Sequence, residues 1–155
     1  MPGIKSTIRN TNFFAELPDD DVELIASYGQ ETQLKRGDML FKQDDAAKSF
    51  YIVCSGKVSV EVPALYGPPL IVQELSDGEI LGWSWLIKPY KWSFSARAES
   101  DTQLIAFDGP KVLQHCEEDP AFGYRILKMF TQLMSERLAA ARLQMMESWA
   151  APGAA

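Results

Sequence analysis

Apolar and polar residues alternate with a period of two through Lys57-Val58-Ser59-Val60-Glu61-Val62, setting three valines on one face and Lys57, Ser59 and Glu61 on the other. That pattern marks a strand with one buried and one solvent-facing side, and it is the clearest element in the chain. Similar runs recur between Glu31 and Phe107: Met39-Leu40-Phe41, Phe50 to Cys54, Leu70 to Leu75, Ser93 to Ala98 and Thr102 to Phe107. Within Ser93 to Ala98, Phe94, Ala96 and Ala98 share a side, opposite Ser93, Ser95 and Arg97. Turn residues separate the runs, among them Arg36-Gly37-Asp38, Ser55-Gly56 and Tyr66-Gly67-Pro68-Pro69. Short strands at this spacing predict an antiparallel sandwich or barrel, with no parallel βαβ unit.

Helical periodicity brackets the strands. A short helix is expected around Thr11 to Leu17 and a second after Pro18, where Asp19, Asp20 and Asp21 supply first-turn acids. After Asp108-Gly109-Pro110 comes a short helix, Lys111 to Glu117, and then a long one from about Pro120 to Trp149. In the long helix Leu127, Phe130, Met134, Leu138, Ala141, Met145 and Trp149 are spaced 3, 4, 4, 3, 4 and 4 residues apart, a nearly straight stripe. About 30 helical residues reach about 45 Å, whereas a strand of 5 or 6 residues spans near 20 Å. A small sandwich cannot cover that stripe, so its distal part needs a second helix, most simply that of a symmetric homodimer.

The 155 residues suit one domain, 46% hydrophobic and able to fill a core without staples. Lys and Arg total 15 against 21 Asp and Glu, a net charge of −6, which argues against a phosphate-backbone footprint and so against nucleic acid as a partner. Two cysteines, Cys54 and Cys116, and one histidine, His115, are too few for a structural zinc, an iron–sulfur cluster or a three-histidine catalytic site. His115 and Cys116 are helical neighbours and do not face each other, so they read as a surface histidine beside a buried thiol. No motif places paired carboxylates or a nucleophile with its base, so no catalytic residue and no metal site is assigned and an enzyme is not expected. The chain shows no apolar signal segment, and its longest near-continuous apolar run, Ile80 to Ile87, is far too short for a bilayer. A cytoplasmic protein with reduced thiols and no membrane partner is expected.

The most informative stretch is Asp77-Gly78-Glu79-Ile80-Leu81-Gly82-Trp83-Ser84-Trp85-Leu86. Glycines four residues apart, after a strand and before a helix-compatible run, can let backbone N–H groups converge on an anion. The surrounding frame gives this segment its meaning. Leu34-Lys35-Arg36-Gly37-Asp38, Gln43 with an acidic pair, Phe50 to Val60 and Gly78 to Gly82, in that order, resemble the cyclic-nucleotide-binding domain family, over about residues 13 to 147. The resemblance implies a mainly β fold with flanking helices: a double-stranded β-helix, or jelly-roll β-roll, over about 31–107, N-terminal helices, and a long C-terminal helix over about 120–149. It implies a single domain, 1–155, and a ligand cassette formed by Gly78, Glu79, Leu81, Gly82, Trp83, Ser84, Trp92 and Ser93.

In the family, a cassette glutamate takes the ribose hydroxyl and an arginine with the next Ser or Thr takes the cyclic phosphate. Here Trp83 stands at the glutamate position, Trp92 at the arginine position and Ser93 at the hydroxyl position. Losing both charged contacts costs about 3 to 5 kcal/mol, or hundreds to thousands-fold in affinity. Arg97 is the alternative phosphate partner at hand, although the alternation groups it with Ser95 on the solvent side. The family's turn glycine beside Gln43 is replaced by Asp44, a residue that tolerates a left-handed backbone.

Two readings of the indoles stay open. They wall a pocket altered for another planar or apolar small molecule, or they fill the vacated cavity and leave a ligand-free domain; Trp85 and Phe94 belong to the core either way. Family transcription factors carry a helix-turn-helix unit after the long helix, whereas here only Ala150 to Ala155 follow. The expectation is a non-enzymatic regulatory or sensory module without a cofactor, homodimeric through the Leu127 to Trp149 stripe, with a small molecule or a partner protein as its effector. The Gly78 to Trp92 loop would act as its switch.

Overall fold

The computed structural model describes residues 3–153, with side chains described to Glu147. Helix α1 (Ile4–Arg9), a 3-10 turn (Asn12–Phe14) and helix α2 (Asp19–Ser27) open the chain. The short helix expected at Thr11 to Leu17 is therefore one 3-10 turn, and the full helix lies earlier. Phe13 and Phe14 prefer burial against aromatic rings over continuing a helix: their rings meet edge-on at 4.9 Å, and Phe13 reaches Phe130 at 5.0 Å. Strands β1 (Gly29–Leu34), β2 (Met39–Phe41), β3 (Ser49–Ser55), β4 (Val58–Val62), β5 (Leu70–Leu75), β6 (Ile80–Leu81), β7 (Ser95–Ala98) and β8 (Thr102–Asp108) follow, then α3 (Gly109–Glu118) and α4 (Pro120–Gly153).

The strands form two four-stranded antiparallel sheets, ordered β1-β8-β3-β6 and β2-β7-β4-β5. This is the mainly β jelly-roll with flanking helices that the sequence implied. Strand β3 lies inside its sheet and is buried on both faces. Phe50 and Ile52, in register with Phe107 and Ile105, face the helices, while Tyr51 and Val53, in register with Ala106 and Leu104, face the second sheet. The helix side is an aromatic cluster: Phe50 stacks on Phe107 at 4.8 Å and on Trp85 at 5.0 Å, and Phe130 of α4 meets both Phe50 and Trp85 edge-on. An Arg125–Asp21 pair, with Nε 2.6 Å from the carboxylate, ties α4 to α2.

Helix α4 inserts Phe122, Ile126, Phe130 and Leu133 into the core. Phe130 is 1% exposed, so the residue grouped with the outward stripe serves its own chain's core. Met134 is half-buried against that core. Leu127, Leu138, Ala141 and Met145 are exposed, and the side chain of Trp149 lies outside the described residues.

The polar face of β4 departs from the solvent-side expectation, since Ser59 and Glu61 are both buried. Arg97 closes over Glu61, and Ser59 donates to the Glu99 carboxylate at 2.7 Å. Asp44 adopts φ 75°, so the turn keeps its left-handed residue without glycine. No helix among the described residues is long and apolar enough to cross a membrane.

Candidate functional site

The segment from Ser76 to Ala98 links the sheets, passing through β6 of the first and β7 of the second. Gly78 N–H donates to the Val53 carbonyl at 2.7 Å, and Val53 N–H donates to that of Glu79 at 2.9 Å. The Glu79 carboxylate accepts from Ser76 N–H at 3.1 Å, so it closes its own turn. Leu81 pairs with Tyr51 in β6 and is buried. The run after Gly82 is a series of turns without a helix, held by Leu86 N–H on the Trp83 carbonyl and Tyr90 N–H on that of Ile87. The helix N-terminus that would have gathered N–H groups on an anion is thus not formed.

The indoles have three different roles. Trp85 is buried among Phe50 and Phe130, and its Nε1–H donates to the Gly82 carbonyl at 3.1 Å, which satisfies its one polar atom. Trp92 is 5% exposed and lies flat on Phe41, with centroids 3.7 Å apart and planes 6° from parallel. Phe41 in turn stacks on Tyr51 at 6.3 Å, so Trp92 is the outer layer of an aromatic stack between the sheets. Its backbone is pinned to the Asp44–Asp45 turn by N–H donation to the Asp45 carbonyl and acceptance from Asp44 N–H.

Gly82 accommodates this ring. Its φ is 101°, and a Cβ there would stand 2.8 Å from Trp92 Cη2. The rim of the indole therefore occupies the space a side chain at 82 would need.

Trp83 is half-buried and lies under α4, with the Arg137 guanidinium 5.8 Å from its ring centre. Arg137 Nη2 also donates to the Ile80 carbonyl at 2.5 Å. Burial pulls the Arg137 pKa below the ordinary guanidinium value, against the opposing pull of Glu79 and Glu136. Sequence reasoning missed Arg137, although a signal was present. Ile126, Phe130 and Leu133 recur at helical spacing, and the next position on that face is 137.

Of the other expected site residues, Ser84 is half-buried, Ser93 is exposed, and Phe94, expected in the core, is 38% exposed because β7 begins only at Ser95. Arg97 lies on the opposite face of the second sheet from the Trp92 stack, with Nε and Nη2 at 3.3 and 3.1 Å from Glu61 Oε1. His115 meets Phe122 edge-on at 4.8 Å. Burial pushes the Cys116 thiol up to about 11, with smaller contributions from Glu117 and Asp119. Helix α4 runs unbroken to Gly153.

A model of the "Cyclic nucleotide-binding domain" matches residues 31–119. The cyclic AMP receptor protein of Thermus thermophilus is 28% identical over 129 residues, covering 83% of this chain and 60% of that protein. The cAMP-dependent protein kinase regulatory subunit of Dictyostelium discoideum is 26% identical over 106 residues, 68% of this chain and 32% of the relative. The crystal structure of a putative cyclic nucleotide-binding protein from Geobacter metallireducens superposes with a TM-score of 0.79 at 26% identity, covering 89% of this chain and 99% of that one. The chain thus spans less than two thirds of the length of these two curated relatives.

Proposed function

The chain belongs to the cyclic nucleotide-binding domain family, a family of regulatory and binding domains rather than enzymes, and from that premise we propose that it is a non-enzymatic, cytoplasmic regulatory module whose cassette no longer holds a cyclic nucleotide in the usual way. The observation that carries this proposal is the Trp92 stack. The indole stands where the resemblance puts the phosphate-binding arginine, and it is packed between Phe41 and Gly82 as core. A buried ring brings no charge to a phosphate, and swinging it out would cost roughly 3 to 5 kcal/mol of lost packing.

The module's output is proposed to pass through α4. Arg137 joins the Ile80 carbonyl and the Trp83 ring to that helix, so a shift of the loop shifts the helix. Beyond Arg137 the helix exposes Leu138, Leu143, Met145 and Met146, an apolar surface that a second copy of α4 would cover. Light scattering at tens of micromolar tests this, with a dimer expected from the native chain and a monomer from Leu138→Glu combined with Met145→Glu. A native chain that is already monomeric would remove the dimeric output.

A small planar effector remains a second reading at Trp83, favoured by that ring's partial exposure. Tryptophan fluorescence titrated against a metabolite panel separates the readings, since a saturable change lost in Trp83→Phe selects the effector. An unchanged signal across the panel selects the ligand-free module, whose partner is another protein.

A further inference from the structure

The outer face of the second sheet, remote from the Trp92 stack, carries a depression of about 430 Å³ floored by β4 and β7 and overhung by the 63–69 turn. Its floor is charged. Glu61 is 3% exposed, and both donations from Arg97 fall on Oε1. No described residue donates to Glu61 Oε2. Arg97 Nη1 likewise has no acceptor among the described residues.

Ser95, the cross-strand partner of Glu61, is buried with its hydroxyl accepting from Gln43 N–H at 2.9 Å, which leaves its own proton free to donate. Lys42 stands at the rim without an ion pair among the described residues, and Met39 and Pro69 supply apolar wall. Since no buried side-chain oxygen among the described residues lacks a partner, Glu61 Oε2 opens into the depression, where it can accept from a ligand. The neighbouring unused guanidinium edge asks for an acceptor in turn.

From this arrangement we propose that the depression is a binding site for a zwitterionic α-amino acid, with its ammonium on Glu61 Oε2 and its carboxylate on the free edge of Arg97 and the Ser95 hydroxyl. Acceptor and donor stand side by side on adjacent strands, as the two ends of an amino acid require. Arg97 and Lys42 outnumber Glu61 by one charge, so an acidic side chain completes the neutralisation at Lys42. Glutamate therefore binds ahead of leucine, and leucine ahead of lysine. The site is independent of the cassette, and Trp83 and Trp92 take no part in it.

Calorimetry with the full chain and L-glutamate, L-leucine, L-lysine and glutarate tests the assignment. L-glutamate is expected to saturate, and glutarate, which lacks the ammonium, to bind about tenfold or more weakly. Glu61→Gln keeps an acceptor for Arg97 but removes the charge that holds the ammonium, and is expected to lose about tenfold or more in glutamate affinity with an unchanged circular dichroism spectrum. Lys42→Ala, at the exposed rim, is expected to bring glutamate down to the affinity of leucine, and decides the matter if the Glu61 variant fails to fold. No saturation by any amino acid up to about 10 mM, glutarate binding as tightly as glutamate, or both variants binding as the native chain does would each overturn the proposal.

Discussion

Substituting Gly82 with alanine probes the packing on which the cassette reading rests. The new Cβ meets two separable penalties. One is the backbone at φ 101°, which costs an L-residue about 1 to 2 kcal/mol. The other is overlap with the Trp92 ring, 2.8 Å from Cη2 and 3.0 Å from Cζ3, worth about 1 to 3 kcal/mol. Gly82→Ala should therefore destabilise the native chain by about 2 to 5 kcal/mol. In a Trp92→Phe background both clashing atoms are gone, and the next neighbour, the Ser49 carbonyl oxygen at 3.4 Å, is close to ordinary contact. Only the backbone penalty then remains, so the two substitutions should couple by about 1 to 3 kcal/mol in the favourable direction. Urea unfolding followed by far-ultraviolet circular dichroism on the four proteins measures this. Additivity within about 0.5 kcal/mol would mean that the indole does not press on Gly82, and the filled-pocket account would lose its geometric basis.

Arg137→Ala should remove the donation to the Ile80 carbonyl and the contact with Trp83, at about 1 to 3 kcal/mol of stability, and should accelerate amide hydrogen exchange from Ile80 to Trp83. Exchange there equal to that of the native chain would deny the link between loop and helix. Cys116 titrates near 11 in the folded chain against 9.0 ordinarily, so at pH 8 it should alkylate about 100-fold more slowly than a free thiol, and a rate matching a free thiol would contradict its burial. The same shift means that the unfolded chain releases this proton first. The contribution of Cys116 to stability is therefore full below pH 9.0 and should decline as pH rises toward about 11, whereas in Cys116→Ser that part of the decline should vanish.

The strands of the roll were legible because alternation reports which residues share a face, and β4 and β7 set Val60 with Ala96 and Glu61 with Ser95 accordingly. Alternation does not report what covers a face. Ser59 and Glu61 therefore read as solvent-exposed, although Arg97 and Glu99 close over them. The N-terminal misassignment has the same origin. Phe13 and Phe14 carry helical spacing, but burial against Phe107 and Phe130 settles their backbone.

Within the cassette, the positions of Trp83 and Trp92 followed from sequence order, whereas their different fates did not. Trp92 found Phe41, a residue far away along the chain, and Trp83 found Arg137 on the last helix. In α4 the apolar period was visible, but two adjacent stripes share it. Phe130 belongs to the inward one and Leu138 to the outward one, a rotation that only the packed structure resolves.

Calorimetric titration of the native chain with cyclic AMP and with cyclic GMP tests the central claim most directly. With Trp92 locked on Phe41 in place of a cation, neither nucleotide should give a saturable heat at concentrations up to about 1 mM. A dissociation constant near 1 μM or tighter for either one, with the binding lost in a Trp92→Ala variant that remains folded, would contradict it.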